Sequence, residues 1–234
     1  MKLSKRLEAV AELVTSHMTI ADIGTDHAYI PIFLIQKNKV KHAIAMDINE
    51  GPLERAKEHV IFEELEEKIE LRLSDGAKAL LRNEAESVVI AGMGGNLVIH
   101  ILEEGREVLD TVPELILQPQ SDLERVRRYL KEQGYSIDRE NMILEDGKYY
   151  PMMRVYHKQD DRIYSKTDYL YGYDLIHQKH PVLVKYLEKE EKQYREIFQH
   201  LKSVPENEMQ QKRLFELEQK IKLVQEARLE MFEK

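Results

Sequence analysis

The chain has 234 residues, a formal net charge of −8 at neutral pH and no cysteine. This length allows one domain with a sizeable core and a smaller second unit. Without cysteine, disulfides, thiolate metal sites and thiol nucleophiles are excluded, and a reducing compartment such as the cytoplasm is favoured. We expect no metal site. We also expect no membrane partner, because no apolar run is long enough for a bilayer span and the first residues lack a signal-peptide segment.

The first predicted element is a helix that begins after Ser4. Apolar residues recur at helical spacing, namely Leu3, Leu7, Val10 and Val14. Lys5 and Arg6 then fall in the first turn, where the partial positive charge of the helix end disfavours cations. Together with Lys2, they form a candidate site for an anion such as a nucleic-acid phosphate. A solvated basic face is the alternative interpretation.

The next segment is a polar corner, Asp22-Ile-Gly-Thr-Asp26-His-Ala-Tyr29, between two apolar runs. This pattern predicts a turn from a buried strand into a helix, with backbone N–H groups close to a ligand. Gly24 permits a tight approach of the backbone. Two carboxylates, Asp22 and Asp26, would repel a pyrophosphate. The corner therefore favours a ligand that carries positive charge.

Ligand-type residues also follow the next three predicted strands. Asp47, with Ile48 beside it, ends the second strand, where a carboxylate can accept hydrogen bonds from ribose hydroxyls. Asp75-Gly76 follows the third strand, and three glycines in the run Gly92-Met93-Gly94-Gly95 follow the fourth. An ordinary helix-entry carboxylate at Asp47 and a plain turn at Asp75-Gly76 are the competing interpretations.

The remaining part of the first predicted domain, residues 1–158, ends in a hairpin. A fifth strand at 114–118 precedes Ser121-Asp-Leu-Glu124, which predicts a capping box and a helix. Two further strands flank the turn at 145–148. The helix predicted after Ser121 carries a second candidate basic patch, which consists of Arg125, Arg127, Arg128 and Lys131.

The predicted second domain, residues 159–234, is helical. A tyrosine-rich connector leads to two long amphipathic patterns that are separated at Val204-Pro205. Apolar residues of the last pattern keep heptad spacing until Arg228 interrupts it. We expect an antiparallel, coiled-coil-like helical hairpin.

These elements together resemble the class I S-adenosylmethionine methyltransferases. The segments Asp22–Tyr29 and Ile90–Gly95 and the helical tail resemble the bacterial TrmK family, which methylates N1 of adenine 22 in the tRNA D-loop. The resemblance implies an α/β fold with a Rossmann-like sheet, S-adenosylmethionine as cofactor and tRNA as partner. It covers essentially the whole chain.

The resemblance also implies roles for individual residues. Gly24 and Asp26 would line the cofactor, together with Asp22, and Asp26 would contact the amino group of the target adenine. His27 and Tyr29 would border the entrance for the base. The implied cofactor contacts further along the chain are Asp47 and Ile48 at the ribose, Asp75 and Gly76 at the adenine, and Gly92, Met93 and Gly94 at the methionine moiety.

Alternative functions remain open on the sequence. A methyltransferase for another RNA or for a small molecule would share the cofactor residues but would not need Lys2, Lys5, Arg6 or the helical hairpin. A nicotinamide-dependent dehydrogenase is disfavoured, because Gly-x-Gly-x-x-Gly is missing and the corner is acidic. A non-enzymatic scaffold that binds a partner helix is a third class. We expect the chain to act as a monomer.

Overall fold

A computed structural model describes residues 2–15, 17–203 and 207–232. The chain divides into two compact units, Met1–Asp161 and Arg162–Lys234. This division and the domain boundary expected after residue 158 fall in the same connector. In the described ranges, no helix has both the length and the apolar character needed to cross a bilayer.

The first unit alternates strands and helices along most of its length. Its strands are β1 (His17–Ile23), β2 (Val40–Asp47), β3 (Ile69–Leu73), β4 (Ser87–Met93), β5 (Glu114–Pro119), β6 (Ser136–Glu145) and β7 (Lys148–Tyr156). Its helices are α1 (Lys5–Leu13), α2 (Tyr29–Gln36), α3 (Glu50–Phe62), α4 (Gly95–Glu104), α5 (Arg106–Leu109) and α6 (Leu123–Glu132).

All seven strands form one sheet in the order β3-β2-β1-β4-β5-β7-β6. The first five strands in this order are parallel, and β7 pairs antiparallel with both β5 and β6. The predicted Rossmann-like α/β sheet and its final hairpin are therefore confirmed. Because the parallel strands share one direction, the residues that follow β1, β2, β3 and β4 meet at one edge of the sheet.

The sheet is buried on both faces in its centre. Ile116 of β5 contributes to the core on one face, and its neighbour Leu117 contributes to the core on the other. Ile20 of β1 and Ile90 of β4 are fully buried in the same two layers. This burial explains why the central strands consist of continuous apolar runs.

The predicted start of α6 is only partly correct. The helix forms, but it begins at Leu123, one residue later than a capping box at Ser121 implies, and its N-cap Asp122 makes no side-chain capping bond. Ser121 does not form the predicted capping box, since its hydroxyl accepts a hydrogen bond of 3.2 Å from the amide of Gly95. A Cβ at Gly95 would overlap the Ser121 carbonyl oxygen, so the start of α4 approaches this loop too closely for any other residue.

The second predicted basic patch does not form an open cationic surface. Arg127 is fully buried and pairs with Glu140 on β6 at 2.8 Å. The other three residues are also bound: Arg125 donates to Asn96, Arg128 pairs with Glu124, and Lys131 donates to the carbonyl of Asp160. Spacing along one helix could not reveal Glu140, because this partner lies on a different element.

The second unit consists of α7 (Lys166–Tyr171), α8 (Tyr173–His177), α9 (Pro181–Lys202) and α10 (Glu208–Phe232). The last two helices pack antiparallel, since Gln210 donates to the carbonyl of Leu201 and Arg228 pairs with Glu191 at 2.7 Å. The interruption of the heptad pattern at Arg228 is thus an ion pair within the hairpin. The predicted break at Val204-Pro205 lies outside the described residues.

The buried pair Arg127–Glu140 yields a prediction about stability. Arg127→Met should lower the free energy of unfolding by about 3–5 kcal/mol, because it leaves the Glu140 carboxylate buried without its counter-ion. Arg128→Met removes the same charge from a half-exposed pair on the same helix and should cost about 1 kcal/mol or less. Urea unfolding of the full chain, followed by circular dichroism, measures both values. Equal losses of unfolding free energy in the two variants would show that the cost does not depend on the burial of the ion pair.

Candidate functional site

A cleft of about 290 Å³ opens where β1 and β4 end. This volume is at the lower limit of typical small-molecule sites. The cleft is lined by Arg6, Leu7, Asp22, Gly24, Asp26, Tyr29, Ile30, Ala91 and Gly92. Six of the predicted site residues, from three separate segments of the sequence, are therefore brought together around one cavity.

The corner after β1 is held by the neighbouring strand. The amides of Gly24 and Thr25 both donate to the carbonyl oxygen of Met46 on β2, at 2.8 Å each. These two N–H groups therefore already have a partner within the sheet, and the expectation that backbone N–H groups of this turn lie close to a ligand stays a prediction for the rest of the turn. Gly24 has a φ of 77°, and a Cβ at this position would overlap the end of the Met93 side chain. The requirement for glycine comes from the backbone conformation, because the flexible Met93 side chain can move aside.

Asp22 is the buried charge of the cleft. Its carboxylate accepts a hydrogen bond of 2.7 Å from the hydroxyl of Thr25. Burial raises the pKa of the Asp22 carboxyl to about 6, although the Thr25 hydroxyl opposes this shift; the negative charge of Asp47 raises the pKa further. A positive charge placed in the cleft would favour the ionised form of Asp22.

Asp26 is exposed and lies at the mouth of the cleft. Arg55 on α3 donates to its carboxylate at 2.9 Å, and the imidazole of His27 lies 3.4 Å from the same oxygen. His27 and Ala28 follow with φ angles of 63° and 53°. Two successive non-glycine residues with positive φ indicate a locally strained turn. Such strain concentrates at functional sites.

Three aromatic rings stack beside this turn. The ring centroids of His27 and Tyr29 are 4.9 Å apart, and His59 of α3 lies 4.9 Å from His27 and 5.3 Å from Tyr29. The carbonyl of His27 also lies 3.2 Å from a ring nitrogen of His59. His27 and Tyr29, which the sequence placed at the entrance, are therefore fixed by a third ring that it did not predict.

The carboxylates predicted for the cofactor nucleoside lie at the ends of the next two strands. Asp47 accepts a hydrogen bond of 2.8 Å from the amide of Asn49, and the adjoining Ile48 is exposed. Asp75 pairs with Lys78 at 2.5 Å, and this ion pair lowers the pKa of the Asp75 carboxyl. The carbonyl of Gly76 accepts from the hydroxyl of Ser74. A ligand at Asp75 would have to share that carboxylate with Lys78.

The three predicted basic residues at the N-terminus lie in different environments. The amides of Lys5 and Arg6 donate to the two oxygens of Glu145 at the end of β6, at 2.7 and 3.1 Å. Glu145 therefore satisfies two backbone N–H groups at the start of α1, and the anion expected at the side chains of Lys2, Lys5 and Arg6 stays a prediction. The Arg6 side chain points into the cleft, whereas Lys2 and Lys5 are exposed.

Four residues of the site carried no clear signal in the sequence: Thr25, Arg55, His59 and Gln118. Arg55, His59 and Gln118 contact Asp26, His27 and Arg6 on other elements, so only the folded chain identifies them, whereas Thr25 bonds to Asp22 within the same corner. Gln118 offered one hint, because it is a polar residue at the end of an otherwise apolar strand. Across the described part of the chain, no group of three or more metal-ligating side chains is suitable for a metal ion.

The cleft has the properties expected for the methionine end of S-adenosylmethionine. Asp22 and Asp26 are carboxylates that suit its sulfonium and ammonium groups, and Arg6 is a cation that suits its carboxylate. Gly92 and Met93 end β4 beside the same cavity, and Asp47 and Asp75 follow the adjoining strands. The donor set therefore fits this cofactor in both charge and placement.

Comparison with known proteins gives the same result. A family model described as TrmK, tRNA (adenine(22)-N(1))-methyltransferase, matches residues 20–226. The tRNA (adenine(22)-N(1))-methyltransferase of Bacillus subtilis is 34% identical over 231 residues, which cover 97% of each chain.

Solved structures resemble the chain over almost its whole length. The crystal structure of the B. subtilis m1A22 tRNA methyltransferase TrmK has a TM-score of 0.84 at 33% identity and covers 97% of this chain and 98% of that one. The structure of M. capricolum TrmK in complex with S-adenosylhomocysteine has a TM-score of 0.83 at 29% identity and covers 97% of both chains. The chain therefore belongs to the TrmK family of tRNA (adenine(22)-N(1))-methyltransferases.

Proposed function

We propose that this protein transfers a methyl group from S-adenosylmethionine to N1 of adenine 22 in tRNA. The observation that carries the proposal is the cleft in which Asp22, Asp26 and Arg6 meet at the carboxyl edge of the sheet. Membership of the TrmK family supports the tRNA substrate and the position of the target base. As a tRNA-modifying enzyme, it would act in the cytoplasm, and action as a monomer stays a prediction.

We assign the cofactor to the strand ends that meet at this edge. When bound, S-adenosylmethionine supplies an electrophilic methyl group. Asp22 and Asp26 face its positive charges in our assignment, and Asp47 accepts hydrogen bonds from its ribose. Asp75, together with Gly76, contacts its adenine. The Asp75 carboxylate, which pairs with Lys78, is then shared between Lys78 and the adenine. The close contact between Gly24 and Met93 restricts the space beside the methionine moiety.

The target base needs orientation more than activation. N1 of adenine has an in-plane lone pair, so no proton must be removed before it attacks the methyl group. Correct placement of two reactants can contribute roughly 7–11 kcal/mol to catalysis. Because N1 lies on the Watson–Crick edge, the base must be unpaired or flipped when it enters. His27 and Tyr29 offer stacked rings at that entrance.

Asp26 is the residue that we assign to the base itself. Its carboxylate can accept a hydrogen bond from the amino group of adenine, and Arg55 and His27 hold it in place. Attack by N1 also transfers positive charge to the ring. A carboxylate at this position would stabilise that charge as it develops, without serving as a general base.

The proposed reaction is tested with tRNA that lacks modifications. The protein, incubated with isotopically labelled S-adenosylmethionine, should label a transcript with adenosine at position 22 and should not label one with guanosine there. Nuclease digestion and mass spectrometry should locate the label in 1-methyladenosine at this position. A label at another nucleotide, or on small molecules only, would refute the proposed substrate.

The ionisation of Asp22 predicts how cofactor affinity depends on pH. A cationic ligand requires the ionised carboxylate, and a pKa of about 6 leaves about one tenth of this group ionised at pH 5. Affinity for S-adenosylmethionine should therefore fall about tenfold from pH 7 to pH 5, as measured by calorimetry. In Asp22→Asn this dependence should disappear, and binding at pH 7 should be weaker. An unchanged profile in the variant would assign the titration to another group.

The role of Asp26 predicts a selective loss of turnover. Asp26→Asn should reduce the rate of methylation about tenfold to a hundredfold, equivalent to one charge-assisted hydrogen bond, and should reduce cofactor affinity much less. Arg55→Met serves as the matched control, because it breaks the same ion pair but keeps the carboxylate. If both variants lose activity equally and melt at the same lowered temperature, Asp26 only stabilises the turn.

A further inference from the structure

Gln118 is a fully buried polar residue at the end of β5. Its side-chain oxygen accepts two hydrogen bonds, one of 3.2 Å from the amide of Gly92 and one of 3.0 Å from the guanidinium of Arg6. Its side-chain nitrogen lies 3.4 Å from the carbonyl of Pro119. A single buried amide therefore joins the glycine loop after β4 to the first helix of the chain.

The first of these bonds compensates for an irregularity in β4. The pairing of β4 with β5 shifts between Ala91 and Met93, so that Gly92 bulges out of the ladder with a φ of 81°. Its amide would lose its partner there, and the oxygen of Gln118 replaces that partner. Such bulges are common next to active sites, where they redirect the chain.

The second bond fixes the direction of Arg6. The guanidinium is 3.5 Å from where a Cβ at Gly92 would lie, and its carbon is 5.7 Å from the ring centroid of Tyr150. Glu145 holds the backbone of the same residue. An arginine bound at both ends in this way loses little further side-chain entropy when it binds a planar anion.

The charges around the cleft are arranged as the methionine end of the cofactor requires. This end of S-adenosylmethionine carries two positive groups and one carboxylate, whereas the cleft carries two carboxylates and one guanidinium. Arg6 lies with Asp22 and Asp26 in the lining of the same cavity. The two carboxylates of this cavity would repel the phosphates of a polynucleotide.

On the basis of the proposed function, we propose that Arg6 binds the α-carboxylate of the cofactor and that Gln118 is its positioning residue. Arg6 is thereby assigned to the cofactor and not to tRNA phosphates, as its position in the sequence had suggested. The exposed Lys2 and Lys5 remain the phosphate contacts proposed at this end of the chain. The bond from the Gly92 amide to Gln118 connects Gln118 and Arg6 to the glycine run at the end of β4.

The test compares two ligands by calorimetry in the full-length protein. S-adenosylhomocysteine contains the amino-acid end of the cofactor, and 5′-methylthioadenosine lacks it. Arg6→Ala should weaken the first ligand about tenfold to a hundredfold and leave the second unchanged. Lys5→Ala, one residue away, should change neither, but it should lower the dependence of tRNA affinity on salt.

Gln118 is tested through its coupling to Arg6. Gln118→Leu should lower the ratio of the two affinities in the same direction as Arg6→Ala, because it removes the oxygen to which the Arg6 guanidinium donates. In the Arg6→Ala background, Gln118→Leu should lower that ratio no further. The ratio remains informative in a destabilised variant, because a general distortion of the cleft weakens both ligands together.

Each outcome has one interpretation. If the unmodified protein does not bind S-adenosylhomocysteine, the proposed function itself fails. If it binds but Arg6→Ala keeps the affinity ratio and loses tRNA affinity instead, Arg6 contacts phosphate and the inference is wrong. If Gln118→Leu lowers the ratio equally with and without Arg6, the glutamine acts independently of the arginine and the positioning role is refuted.

Discussion

The burial of one carboxylate, that of Asp22, is the constraint on which the cleft depends. Its pKa of about 6, against an ordinary value of 3.8, means that ionised Asp22 costs roughly 3 kcal/mol of folding stability at neutral pH. The cost has a definite sign: the folded state binds the proton more tightly, so stability falls as the pH rises from about 4 to about 6. The Thr25 hydroxyl offsets part of it, and a cationic ligand can offset more. The corner therefore favours a ligand that carries positive charge.

Much of the fold follows from local patterns in the sequence. The central strands are apolar on both faces, and each ends in a polar or glycine-containing turn, which defines a parallel sheet without reference to distant residues. The same rule predicted the site, because strand ends of a parallel sheet converge wherever the helices lie. Asp22, Gly24, Asp26 and Gly92 were identified in this way. They line one cleft because they lie at or just after the ends of β1 and β4, which are adjacent in the sheet.

Most of the features that the sequence could not predict depend on partners far away in the chain. Glu145 caps α1 across a separation of 140 residues, and Gln118 bonds to Arg6 across 112. Arg127 is part of the core only because Glu140 meets it on β6. A basic residue at a helix start has the same local signature whether its charge faces solvent or a ligand cleft. The periodicity of one helix therefore cannot separate the roles of Lys5 and Arg6.

The acidic character of the chain and its tRNA substrate place opposite demands on the protein. A sulfonium cofactor and an adenine that becomes cationic on N1 both favour carboxylates at the reacting centre, whereas tRNA phosphates favour cations. Exposed charges are screened by salt over about 8 Å, but charges inside a cleft are screened much less. Asp22 can therefore act on the cofactor without repelling distant phosphates. The exposed Lys2 and Lys5 lie on the segment that brings Arg6 into the cleft, so one short stretch presents positive charge both to the cofactor and to the surrounding solvent.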